Sequence, residues 1–124
     1  MKRIIPLILL GVLLYGVYQL YDASDNRIIK LLESNGTSDK VRGAYKAGER
    51  GDKKFVPYLL KNAADPAMST HIYFKGFSVY QEKMWALEKI YKKLPPHPVK
   101  QFDDPDSVNI KFYMDLYERD KTSN

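Results

Sequence analysis

DKKFVPYLLKNAADP, residues 52–66, is the stretch whose reading decides the fold. Asp52 suits an N-cap, because its carboxylate can accept the unpaired backbone N–H groups of a first helical turn. Pro57 follows near the start, where a missing N–H costs little or sets a slight kink. Phe55, Val56, Leu59, Leu60 and Ala63 recur at helical spacing and predict one apolar stripe. Asp65-Pro66 is the expected stop, since the residue before a proline is driven out of the α region. A helix of this length is marginal alone in water, so the stripe requires neighbouring helices.

The neighbours carry a resemblance. Gly51-Asp52, then Phe55-Val56-Pro57-Tyr58-Leu59-Leu60, closed by Asp65-Pro66, resembles the first helix of a short HEAT-like repeat of the phycobilisome-lyase type, whose pattern is roughly GDxxAVPxLIxxLxDP. VRGAYKAGERGD, residues 41–52, resembles the second helix of such a repeat, and Ala86-Leu87-Glu88-Lys89-Ile90 resembles the ALGKI that ends another. The likeness spans residues 27–94. It implies an α-hairpin array of about two repeats whose second helices line a concave face, with a glycine near Gly48 to let helices approach closely. Gly43 departs from the pattern and has no explanation in the sequence. The expected fold is therefore all-α: an N-terminal membrane helix, the short HEAT-like array, and a C-terminal capping helix.

The chain has 124 residues, a net charge of +5 and no cysteine, which suits one small domain after any targeting segment. Lack of cysteine excludes disulfides, thiolate metal sites, thiol catalysis and a bacterial lipobox, but leaves the compartment open. The ten tyrosines are expected to pack their rings and keep their hydroxyls wet. Residues 1–21 read as a membrane segment. Lys2 and Arg3 are followed by Ile4–Tyr21, 18 residues without a charge. At ~1.5 Å per residue that is roughly 27 Å, close to the ~30 Å hydrocarbon core. A cleaved signal peptide is the alternative, although Tyr21-Asp22-Ala23 would place a tyrosine where a small residue is wanted. Tyr15, Tyr18 and Tyr21 cluster at the far end as an interfacial belt would. The basic start predicts a cytoplasmic N-terminus and a domain outside the membrane, periplasmic or otherwise extracytoplasmic.

Beyond a polar link at 22–26, with Asp25 a plausible cap, residues 27–34 form the expected first helix of repeat one. Asn35-Gly36 is expected to end it with a left-handed residue. Ser38 or Asp39 would cap the next helix, which runs to about Arg50 with Val41, Ala44, Tyr45 and Gly48 on one face. Residues 67–78 are an insertion between the helices of repeat two, rich in Met68, Tyr73, Phe74 and Phe77. Two readings stand for it: a cap over the open end of a short array, or a binding lip. Residues 79–93 predict a helix with Val79, Lys83, Met84, Leu87, Ile90, Tyr91 and Leu94 on one face and Trp85 beside it, stopped by Pro95-Pro96. After a Pro-rich connection (95–104), residues 105–119 alternate at strand period yet also place Val108, Phe112 and Leu116 four apart. A lone strand would leave its backbone unpaired, so a helix is expected, with 120–124 as a tail.

No catalytic, metal or cofactor site is predicted. His71 and His97 are isolated, without the His-Glu pairs used by HEAT-like metal enzymes of the deoxyhypusine hydroxylase kind. Asp103, Asp104 and Asp106 lack the glycine and distal glutamate of a calcium loop. Setting aside Lys2 and Arg3 lowers 20 basic residues to 18 against 15 acidic ones, a net +3 that gives no basis for nucleic-acid binding. The expected function is a membrane-tethered protein–protein interaction module whose partner is another exported or membrane protein. Arg42, Lys46 and Arg50, four apart on one helix, are the candidate partner-binding stripe, extended by Tyr73 and Phe77 of the insertion. The alternative is an accessory protein or enzyme that handles a small ligand under the aromatic insertion.

Overall fold

The structure is a computed structural model that describes residues 3–22, 24–102 and 104–123. Lys2 of the basic start, Ala23 of the cleavage motif, and Asp103 lie outside the described residues. Among those described, the chain is all-helical, as expected, with one isolated antiparallel bridge between Met68 and Ser78. α1 (Ile4–Asp22) is long and apolar enough to span a membrane or to be a signal sequence. None of its window is buried: Leu7 is 68% and Leu20 76% exposed, so the core of the domain forms without it.

α2 (Asp25–Glu33) is capped by Ser24, whose Oγ accepts the Arg27 N–H, and not by Asp25. Asp25 is left free to pair with Arg50 and Lys54. The left-handed stop expected at Asn35-Gly36 is absent. Ser34 is extended, and Gly36, at φ −79°, is the N-cap of α3 (Thr37–Arg50) without a side-chain cap bond. Neither Ser38 nor Asp39 caps that helix. The Ser38 hydroxyl meets that of Ser69 at 3.1 Å, and the Asp39 carboxylate accepts the Ser34 hydroxyl at 2.8 Å. The left-handed residue comes at the far end, where Gly51 (φ 69°) closes α3 through its N–H to the Ala47 carbonyl.

Two glycines set how closely α3 is approached. A Cβ on Gly43 would lie 2.9 Å from Leu31 Cβ and from the Leu32 backbone nitrogen; one on Gly48 would lie 3.0 Å from Ala86 Cα. Gly43 is thus the place where α2 crosses α3, and Gly48 the place where α5 does. Val41, Ala44 and Ala47 fill the rest of the contact, while Tyr45, expected on the same face, is 41% exposed.

The deciding stretch is a helix in two short pieces. Asp52 accepts the Lys54 N–H and opens a 3₁₀ turn (Lys53–Phe55), from which α4 (Val56–Leu60) continues with Pro57 in its first turn. Phe55, Val56, Leu59 and Ala63 are buried and Leu60 half-buried, so the stripe is real. The helix, however, ends several residues before Asp65-Pro66. Lys61 turns extended and Asn62 takes φ 52°. The Lys61 carbonyl, released from the helix, accepts the buried Lys83 ammonium at 2.7 Å. Asp65 instead starts the loop, with its carboxylate on the Ala67 N–H and its carbonyl on the Tyr80 N–H.

α5 (Val79–Tyr91) is the central helix. Its first turn is fully satisfied: Ala67 and Asp65 carbonyls take the Val79 and Tyr80 N–H groups, and Ser78 and Gln81 form a reciprocal capping box. It ends at Tyr91, not at Pro95-Pro96, because Lys92 adopts φ 55°. Leu94 is consequently 75% exposed and outside the apolar face. The turned chain is held by the Tyr113 hydroxyl, which donates to the Lys93 carbonyl at 2.8 Å. α6 (Ser107–Thr122) starts on the Asp106 cap and buries Asn109, Tyr113 and Leu116, leaving Val108 46% exposed. Of the expected line Val108, Phe112 and Leu116, Leu116 is buried and Phe112 packs half-buried against the core, while Asn109 and Tyr113 are fully buried beside it. Asn109 accepts the His97 N–H and donates to the His97 carbonyl, both at 3.0 Å, and also donates to Tyr80 Oη at 3.2 Å. One core joins Ile28 and Leu32 of α2, Ala44 and Ala47 of α3, Phe55, Val56 and Leu59, Met84 and Leu87 of α5, and Tyr113 of α6.

Leu59→Ala should cost about 2–5 kcal/mol in denaturant unfolding, as for other fully buried leucines. Gly43→Ala should also lower the melting temperature. The ~1 kcal/mol gain in helix propensity is outweighed because the obstructing atoms at 2.9 Å include backbone. An unchanged melt for either variant would contradict the packing of α3 and α4 described above.

Candidate functional site

A cleft of about 630 Å³ opens between α3, the start of α5 and the loop that joins α4 to α5. α3 supplies Arg42 and, one helical turn on, Tyr45 and Lys46; α5 supplies Glu82; the loop supplies His71, Tyr73, Phe74 and Phe77. The loop keeps its shape through backbone bonds. Ser69 N–H donates to the Phe77 carbonyl at 2.9 Å and Gly76 N–H to the Ser69 carbonyl at 3.1 Å. Gly76 sits at φ 83°, where a side chain would be strained, and a Cβ there would also crowd Gln101 Nε2 at 3.2 Å.

Four rings meet in one chain, and Phe77 pairs separately with Trp85. Phe74 lies 5.4 Å from Tyr45 across the α3–loop boundary, and His71 stands 5.6 Å from Tyr73 and 5.9 Å from Phe74. Phe77 meets Trp85 edge-on at 5.5 Å, so the sole tryptophan backs Phe77 half-buried and is not a core residue. Lys89 Nζ sits 5.1 Å above the Tyr45 ring while paired with Glu49 at 2.7 Å.

Charge in the cleft is segregated. Arg42 is half-buried, reaches Asp39 only at 4.0 Å, and has a buried Nε with no hydrogen-bond partner among the described residues. Glu82 is only 6% exposed, and burial pushes its carboxyl up to about 7, with Lys89 pulling weakly the other way. A smaller polar cavity of about 170 Å³ is lined by Lys40, Asp65 and Lys83. There burial, then repulsion from Lys40, brings the Lys83 ammonium down to about 8, against the attraction of Asp65. Among the described residues no three His, Asp or Glu side chains gather as metal ligands.

Of the five residues singled out in the sequence, Arg42, Lys46, Tyr73 and Phe77 line this one cleft. Arg50 does not. Its guanidinium lies 2.7 Å from the Asp25 carboxylate, tying the end of α3 to the start of α2. Tyr45, His71, Phe74 and Glu82 complete the cleft without having been expected there. Phe74 was visible as part of an aromatic insertion, and Lys83 fell on the predicted inner face of its helix, whereas Gln81 and Glu82 carry no sign of burial in the sequence. Comparison with known protein families, with curated proteins and with solved structures finds no match for this chain.

The Glu82 carboxyl has a folded pKa above its ordinary 4.5. Below 4.5 both folded and unfolded forms hold the proton; between 4.5 and about 7 only the folded form does. This group therefore lowers stability as pH rises through that window, and the loss is complete above it. Relative to wild type, Glu82→Gln should be more stable at pH 8 than at pH 4.5, with the difference growing between. The Lys83 contribution falls in a separate window, between about 8 and 10.5, where stability rises with pH. Thermal melts of the two chains across pH 4–9 measure the difference, and a difference that does not change with pH would contradict the burial of Glu82.

Proposed function

We propose that this protein is a membrane-tethered binding module with its helical domain on the extracytoplasmic side, and that the aromatic cleft is its recognition site. The observation that carries the reading is the pairing of a half-buried, incompletely satisfied arginine with partly exposed aromatic rings in one concavity, on a domain whose core, among the described residues, forms without the long apolar N-terminal helix. Contiguous exposed apolar surface rimmed by polar groups marks interaction sites, and the cleft has the size of ordinary binding pockets, ~300–1,000 Å³. The partner is another exported or membrane protein. The pairing of α2 with α3, and of α3 with α5, supports a pair of short HEAT-like repeats with α6 as their cap. In that arrangement α3 and α5 are the second helices, the ones that line the binding face.

The tether has its own test. The mature chain should retain its first twenty-odd residues by intact mass and sediment with membranes after a high-salt wash. Loss of that segment would make the domain a secreted one.

Partner capture tests the site. After crosslinking in membranes, Arg42→Glu with Lys46→Glu should slow association and flatten its salt dependence, because rim charges act mainly on encounter. Phe77→Ala should instead speed dissociation, by roughly tenfold if the ring is an anchor. Capture unaffected by both would move the site elsewhere on the domain.

A further inference from the structure

Glu82 is the feature of the cleft that a simple acidic partner does not explain. Its side chain lines the concavity and is all but withdrawn from water at 6% exposure. An ionised carboxylate in that position is costly unless it is paired. Arg42 and Lys46 of α3 and His71 of the loop border the same space, yet the cation that acts on Glu82 is Lys89, further along its own helix. Lys89 is itself engaged, with Glu49 at 2.7 Å and over the Tyr45 ring. The cleft thus holds a buried acid among aromatic faces at one place and two cations on α3 at another.

We propose that the cleft receives a basic side chain, lysine or arginine, from the partner protein, seated among Tyr45, Phe74 and Phe77 against the Glu82 carboxylate, with an acidic neighbour of that side chain on Arg42. The proposal rests on the cleft being the recognition site and supplies the chemistry of what it recognises. Aromatic faces attract a cation through their quadrupole, as Lys89 already shows on Tyr45. An acidic group driven to the same depth would meet a like charge, and a purely apolar one would leave the carboxylate more deeply buried and still unpaired. Cations on α3 and an acid on α5 ask for the opposite arrangement of charge in the ligand. The occupant is a polypeptide because the loop tip exposes Ile72 at 81% and Tyr73 at 79%. An extended partner segment covers both, whereas a small amine in the cleft leaves them in water.

The test uses the full chain in detergent micelles, with Trp85 fluorescence as the reporter because its ring touches Phe77. The probes are a blocked peptide, Leu-Asp-Lys-Asp-Leu, and the same peptide with its lysine acetylated. The expected result is saturable binding of the first, weakened tenfold or more by acetylation, on the unaltered protein. Glu82→Gln should remove that preference while leaving the circular dichroism spectrum unchanged. Equal binding of the two peptides overturns the proposal, as does a preference that survives Glu82→Gln. Displacement of the peptide by phosphatidylethanolamine vesicles but not by phosphatidylglycerol vesicles also overturns it, since the cation would then belong to a lipid headgroup. If neither peptide binds while Arg42→Glu with Lys46→Glu still slows partner capture, the occupant is wrong and the site remains; if capture is also untouched, both readings fall.

Discussion

Helix α3 is held against α2 and α5 at distances that leave no room for a Cβ at Gly43 or a relaxed one at Gly48, and the rest of the domain depends on that constraint. Glycine inside a helix weakens it by ~1 kcal/mol relative to alanine. The loss is offset because close approach lets Val41, Ala44 and Ala47 reach full burial between two neighbours. A helix pinned on both sides presents its remaining face in a fixed direction. On α3 that face carries Arg42, Tyr45 and Lys46, so the contact that builds the core also aims one wall of the cleft.

The second wall follows from α5. This helix is surrounded so completely that Gln81, Glu82 and Lys83 are all buried, and each meets burial differently. Gln81 completes the capping box and donates to the Lys100 carbonyl. Lys83 reaches the carbonyl that α4 releases where it stops. Glu82 faces the cleft instead, and its raised pKa is the consequence of burial with only one opposing cation. Three consecutive polar residues thus mark three surroundings of one helix: a connecting segment, a helix end and a cavity.

The left-handed residues have a related role. Asn62 and Lys92 end α4 and α5 earlier than the following prolines require. In each case a freed carbonyl near the helix end finds a distant donor: Lys83 for Lys61, and the Tyr113 hydroxyl for Lys93. The first bond ties α5 to the end of α4, and the second ties α6 to the chain just beyond α5, where the Pro-rich segment also meets Asn109 through both His97 backbone groups.

Local chemistry in the sequence was enough to determine the helical class, the apolar N-terminal helix, the Asp52 cap, the stripe from Phe55 to Ala63, and a helical rather than extended tail. Each rests on periodicity or on contacts within a few residues, which the chain carries wherever it folds. Four of the five candidate residues line one cleft, and the sequence showed them as a basic pair on one helix and an aromatic pair in a separate insertion. The helix ends at Lys61 and Tyr91, the inner face of α6 on Asn109, the use of Arg50 as a tie to Asp25, and the burial of Glu82 were decided by tertiary structure. The physical reason is common to them. A polar group's place depends on which partner reaches it across the fold, and a carbonyl, carboxylate or amide has no periodicity that announces a partner dozens of residues away.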